Sequence, residues 1–209
     1  MRNGWPLLLL LVLLIALGCN YTNDNTTTAR GTSESAATSA ARPAPAAGKL
    51  GTAAEGSKIE FVGTKTNGRH DGGFTKFTVT LDPVQEDISG SKVIVDIDTD
   101  SLWSDNPKLT AHLKSPDFFD VKKYPKATFV SSRIEPAPSA NATHLVTGDL
   151  TLHGQTKTIS FPVKVATTAE ALDVTGEFTI NRHDFGISYG KGRIHDDVTI
   201  KIAVRIPRQ

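Results

Sequence analysis

The feature that most limits this chain is an alternation of apolar and polar side chains that begins at Lys58 and recurs to the end of the sequence. Successive residues of an extended strand point to opposite faces, so a period of two describes half-buried β-strands rather than helices. Ile59 and Phe61 alternate with Lys58 and Glu60, and Phe77, Val79 and Leu81 alternate with Lys76, Thr78 and Thr80. Val93, Val95 and Ile97 face away from Lys92, Asp96 and Asp98. The pattern resumes from Ala127 through Phe129 to Ile134, at Val146, Leu150 and Leu152, and at Ile159, Phe161, Val163 and Val165. It ends with Leu172, Val174, Phe178 and Ile180, then Val198, Ile200, Ile202 and Val204. Asp82-Pro83, Ser89-Gly90, Pro136 to Asn141 and His153-Gly154 separate these runs with turn chemistry. The expectation is an all-β domain of eight strands over residues 58–209. Short connections make most neighbours antiparallel.

One helix interrupts the strands. Asn106 is a good N-cap, Pro107 suits the first helical position, and Pro116 disfavours a helical residue before it. Leu109, His112 and Leu113 then share one face, with Phe118-Phe119 following. Eight antiparallel strands with one short helix fit either a closed barrel or a two-sheet sandwich. At eight strands a barrel interior is either filled by side chains or just wide enough for one small ligand. The inward aromatics Phe61, Phe77, Phe129, Phe161 and Phe178 serve either case, as core filling or as tunnel lining.

Residues 1–57 are of another kind. Arg2 precedes eleven consecutive apolar residues, Leu7 to Leu17. That run is short of the roughly 20 needed to span a bilayer, and its basic flank fits the hydrophobic region of a signal peptide. It ends Ala16-Leu17-Gly18-Cys19, which resembles a bacterial lipobox. The resemblance implies a signal peptide over 1–18, lipidation of Cys19 and export. Asn20, not Asp, follows the cysteine and favours an outer-membrane anchor facing the periplasm. From Asn20 to Ser57, 30 of 38 residues are Ala, Thr, Ser, Gly, Asn or Pro. Such a segment buries too little surface to offset its ordering entropy, so a disordered tether is expected. As a flexible coil it would span on the order of 30–40 Å.

Cys19 is the only cysteine, which excludes a disulfide scaffold and a cysteine-ligated zinc module. The 23 Lys and Arg against 22 Asp and Glu leave a net charge of +1, without the basic excess of a nucleic-acid binder. Catalytic signals are thin. Gly186-Ile187-Ser188-Tyr189-Gly190 satisfies the hydrolase elbow pattern, but no helical run follows Ser188. His183-Asp184 and His195-Asp196-Asp197 have donor types for a metal or for acid–base work, yet strand neighbours point to opposite faces. His70 lies in a glycine-rich stretch, Gly68 to Gly73, expected to be the first turn. His112 is either a structural residue or a polar contact at the mouth of a cavity. No enzyme activity, metal or cofactor is expected.

The stretch His112-Leu113-Lys114-Ser115-Pro116-Asp117-Phe118-Phe119-Asp120-Val121 resembles a signature of the YceI family. Gly148-Asp149-Leu150-Thr151-Leu152-His153-Gly154-Gln155-Thr156-Lys157 and Ile180-Asn181-Arg182-His183-Asp184-Phe185-Gly186-Ile187 resemble two more. The resemblance implies a lipocalin-like eight-stranded barrel, which favours barrel over sandwich and a lined tunnel over a filled core. It also implies a non-covalent isoprenoid lipid, such as a polyprenyl chain or a quinone, as ligand. The side chains expected to line its tunnel are Phe61, Phe77, Val79, Val95, Ile97, Leu109, His112, Leu113, Phe118, Phe119, Phe129, Leu150, Leu152, Ile159, Phe161, Phe178, Ile180 and Phe185. The family offers no catalytic residues. The expected partners are that lipid and, through Cys19, a membrane. A homodimer stays open.

Overall fold

Alternating faces need partners on both sides, and the strand register supplies them. In the computed structural model, which describes residues 51–82 and 87–208, the described strands form one antiparallel sheet. They are β1 (Gly51–Thr52), β2 (Lys58–Lys65), β3 (Gly68–Phe74), β4 (Phe77–Asp82), β5 (Lys92–Asp98), β6 (Leu102–Ser104), β7 (Lys126–Pro136), β8 (His144–Leu152), β9 (Gln155–Thr167), β10 (Ala171–Asn181) and β11 (Ile194–Pro207). Helix α1 is Pro107–Leu113, with Asn106 accepting from the amides of Lys108 and Leu109, as the sequence leads one to expect. Single 3-10 turns occupy Thr99–Ser101 and Arg182–Phe185.

The sheet order is β1-β4-β5-β7-β8-β9-β10-β11-β2-β3-β6. β3 runs into β4 through a bend at Thr75–Lys76, whose two amides donate to Ser101. Before the bend the chain pairs with β2 and β6, and after it with β1 and β5. This passes the chain between the two halves of the sheet and curls it into a barrel. At the far end, the Ala53 amide donates to Val79 of β4 and the Ala54 amide to Arg205 of β11.

Three strands exceed the expected eight. β1 lies inside the segment expected to be disordered as far as Ser57. β6 is too short to show a period. β3 replaces the expected glycine-rich turn, because β2 and β3 pair from Ile59↔Phe74 to Lys65↔Gly68, leaving only Thr66 and Asn67 to turn. The glycines serve close approach rather than bending: a Cβ on Gly72 would lie 2.3 Å from the Phe61 ring and 2.6 Å from the Trp103 carbonyl. The expected signal peptide (1–18), Cys19 and the tether up to residue 50 lie outside the described residues.

β9 is shared unequally. Its pairing with β8 covers Gln155 to Val163, whereas its ladder with β10 covers only Lys164 to Thr167. Pro162, which has no N–H to give, sits two residues from where that ladder stops. Beyond it β9 and β10 part, and the rings of Phe161 and Phe178 stack across the gap, 4.1 Å between centroids and 14° from parallel.

Candidate functional site

The inward faces do not fill the barrel. They enclose a cavity of about 350 Å³ whose wall comes from β2–β5, β7–β11 and α1 and is almost wholly apolar. That volume falls in the range of small-molecule sites, roughly 300–1,000 Å³. One end is sealed by Leu81, Ile88, Val163 and Ile206, each 3% exposed or less. At the other end Leu109, Leu113, Phe118 and Phe119 reach over the cavity from α1 and the segment after it. Beside them the wall reaches solvent at Thr64 and Lys65 of β2 and His70 of β3.

Of the side chains expected to line a tunnel, Phe61, Val79, Val95, Ile97, Leu109, Leu113, Phe118, Phe119, Phe129, Leu150, Leu152, Ile159, Phe161, Phe178 and Ile180 stand on this wall. Phe77, His112 and Phe185 stand off it. Phe77 starts β4 beside the bend, opposite Ile97 of β5, and packs half-buried against the core without reaching the wall. Phe185 is 1% exposed and packs in the cluster formed with Leu113, Phe118 and Ile187. His112 is drawn away by polar and aromatic neighbours: its Nε2 lies 2.9 Å from Asp117, and its ring meets Phe118 and Tyr189 edge-on. The wall also holds aliphatics that were not singled out, among them Ile88, Val93, Ile187 and Ile194. Ile88 and Ile187 lie in connections, where alternation gives no signal.

The residue most clearly missed is Arg182. It is 4% exposed, yet its guanidinium uses all five N–H donors. Nε donates to the His195 carbonyl, Nη1 to those of Ile187 and Tyr189, and Nη2 to the Ile194 carbonyl and Asp196. A buried cation survives only when paired and hydrogen-bonded in this way. Arg182 thereby ties the Gly186–Gly192 loop to the start of β11, and it contributes to the cavity wall.

The candidate catalytic groups do not assemble. Ser188 is exposed, preceded by a 3-10 turn rather than a strand and followed by loop, so an elbow geometry is lacking. His183 Nε2 lies 3.2 Å from Asp196 without hydrogen-bond alignment, and His195 instead meets Thr64 at 2.8 Å. Among the described residues no three His, Cys, Asp or Glu converge as metal ligands.

Comparison with known proteins agrees with this architecture. A UPF0312 protein of Pseudomonas putida is 40% identical over 127 residues, 57% of this chain and 64% of that relative. The match thus spans a little less than two thirds of the relative's own length. The crystal structure of BcnA from Burkholderia cenocepacia superposes with a TM-score of 0.65 at 29% identity, covering 71% of this chain and 95% of that one. A polyisoprenoid binding domain from Saccharophagus degradans shares the fold, with a TM-score of 0.61 at 17% identity over 77% of this chain and 98% of that one. The YceI-like domain matches residues 52–206, from within β1 almost to the end of β11, and on that coverage the chain belongs to the YceI-like family.

Proposed function

We propose that this protein binds a long apolar lipid of the isoprenoid type inside its barrel and holds or carries it in the bacterial cell envelope, without catalysing a reaction on it. The observation that carries this reading is the cavity itself: sealed at one end, apolar along its length, and open beside α1. A buried methylene gains about 0.8 kcal/mol, so ten of them contribute roughly 8 kcal/mol before the cost of association. A tail can therefore be held by area alone, with length and shape as the selective features. The polyisoprenoid binding domain from Saccharophagus degradans, which shares the fold, supports the choice of tail.

The test is to purify the full chain without detergent, extract it with organic solvent and identify what is released by mass spectrometry. An isoprenoid lipid is expected. Phe161→Arg, which places a charge on the wall beside Phe178, should abolish its recovery while the far-ultraviolet circular dichroism stays that of the wild type. An empty protein that takes up no added polyprenyl lipid would instead favour a purely structural barrel. Ester hydrolysis lost on Ser188→Ala would revive an enzyme.

The reading includes a place for the protein. Cys19, following the apolar run Leu7 to Leu17, serves as a lipid anchor, with the outer membrane favoured by Asn20. Cys19→Ala should move the protein to the soluble periplasmic fraction, and retention with the membranes would remove the anchor from the proposal.

A further inference from the structure

The cavity wall is not neutral in its few polar positions. Its ionisable groups are Lys65, His70 and Arg182, and no carboxylate stands among them. Acidic and basic residues are nearly balanced in the chain as a whole, at 22 and 23, so this one-sided set is a local property of the cavity. Two of the three are already engaged. Arg182 is saturated by four carbonyls and Asp196, and His70 meets Asp105 at 2.9 Å. Asp71, the one acid on β3, is held by Arg69.

Lys65 is left. It is exposed, stands on the wall at the open end, and its ammonium has no ion-pair or hydrogen-bond partner among the described residues. Its stem passes over Gly68, where a Cβ would come within 3.0 Å of its Cε, so the glycine leaves the lysine room to lie along the rim. Across the other edge of β2 it faces Ile194, a wall residue reached through Lys191 and Arg193. The side chains of these two exposed cations also have no partner among the described residues. The hydroxyl of Thr64 lies on the same rim. A lipid whose tail fills the apolar interior puts its head group at this opening. The unpaired side chains there are cations, beside a Thr64 hydroxyl already held by the His195 ring.

We propose that the ligand is an anionic amphiphile, an apolar tail ending in a phosphate or carboxylate, and that Lys65 is the head-group contact. This rests on the reading of the cavity as a lipid site, and the experiment separates the two. The full chain is loaded with an environment-sensitive apolar dye, which is displaced by farnesyl phosphate or by farnesol, two ligands with one tail. Wild type should bind the phosphate about tenfold more tightly than the alcohol, with the ratio shrinking as salt rises. In Lys65→Glu the ratio should fall to about one or below, whereas Lys92→Glu, the same charge change on β5 away from the wall, should keep it. Inorganic phosphate alone should displace no dye. Equal affinity for the two ligands in wild type would overturn the head-group proposal and leave the lipid cavity standing. A preference that survives Lys65→Glu would overturn the assignment to Lys65. Failure of dye and both ligands to bind would overturn the lipid cavity and this proposal together.

Discussion

At one end of the barrel Leu81, Ile88, Val163, Leu172 and Ile206 meet with at most 3% of any of them exposed, an apolar seal among the described residues. At the other end the chain closes over the cavity with α1, Phe118, Phe119 and the loop after Arg182, and there a buried guanidinium holds four backbone carbonyls. The first seal works by area and is non-directional. The second works by hydrogen bonds of fixed geometry. Apolar area can be removed from water at any point of a wall, so it suits an end that stays shut. An opening needs loops, loops bring backbone carbonyls inward, and each buried carbonyl requires a donor. The polar groups of the cavity wall are accordingly found at the open end.

This difference predicts unequal responses to truncation. Leu172 is 0% exposed and surrounded on every side, so Leu172→Ala removes contacts and leaves a void, costing about 4 kcal/mol. The midpoint of thermal unfolding should fall by on the order of 10 °C. Ile200 is only half-buried because one side faces the existing cavity. Ile200→Ala enlarges that space instead of creating one, and should cost about half as much. Denaturant unfolding of the two variants measures both. Equal losses would mean that the cavity wall is packed like the sealed end.

The sealed end and the barrel wall were largely legible in the sequence, because a strand's face is decided by its own period. Phe129, Phe161 and Phe178 could be placed inside with no knowledge of their neighbours, and Asn106-Pro107 announced the helix locally. The open end was legible only in part: Leu109, Leu113, Phe118 and Phe119 could be placed over the cavity, but the geometry around them depends on residues far apart in the chain. Gly68 to Gly73 read as a turn; only the register shows that Gly72 gives way to Phe61 and Trp103. His112 shares a helical face with Leu109 and Leu113, yet Asp117 and Tyr189 pull it off the wall. Arg182 stands out in the sequence only as one member of the Ile180 to Ile187 motif. Its acceptors lie five to fourteen residues downstream, and no local pattern records them. The one clue was an arginine ahead of a loop rich in glycine, with Gly186, Gly190 and Gly192 all at positive φ. Backbone so contorted must satisfy its carbonyls somewhere.

Arg182 is therefore the place to break the open end alone. Arg182→Met keeps much of the stem but removes all five donors, leaving the carbonyls of Ile187, Tyr189, Ile194 and His195 without the partner they have now. Buried groups in that position cost roughly 1–3 kcal/mol each, although a loosened loop can turn some of them to water. The net loss should be about 3 kcal/mol, somewhat less than for Leu172→Ala, and distributed differently. Amide exchange should accelerate at Ile187, Arg193 and Ile194, whose N–H groups bond to Arg182 and Gly190 within this loop, well beyond the global change. The β7–β8 amides at the sealed end should follow global stability alone. Arg182→Lys should recover only part of the loss, because an ammonium has three donors and cannot span the five acceptors. If exchange instead rises evenly over both ends, the two seals are one cooperative unit, and the division into an area-closed end and a hydrogen-bonded end fails.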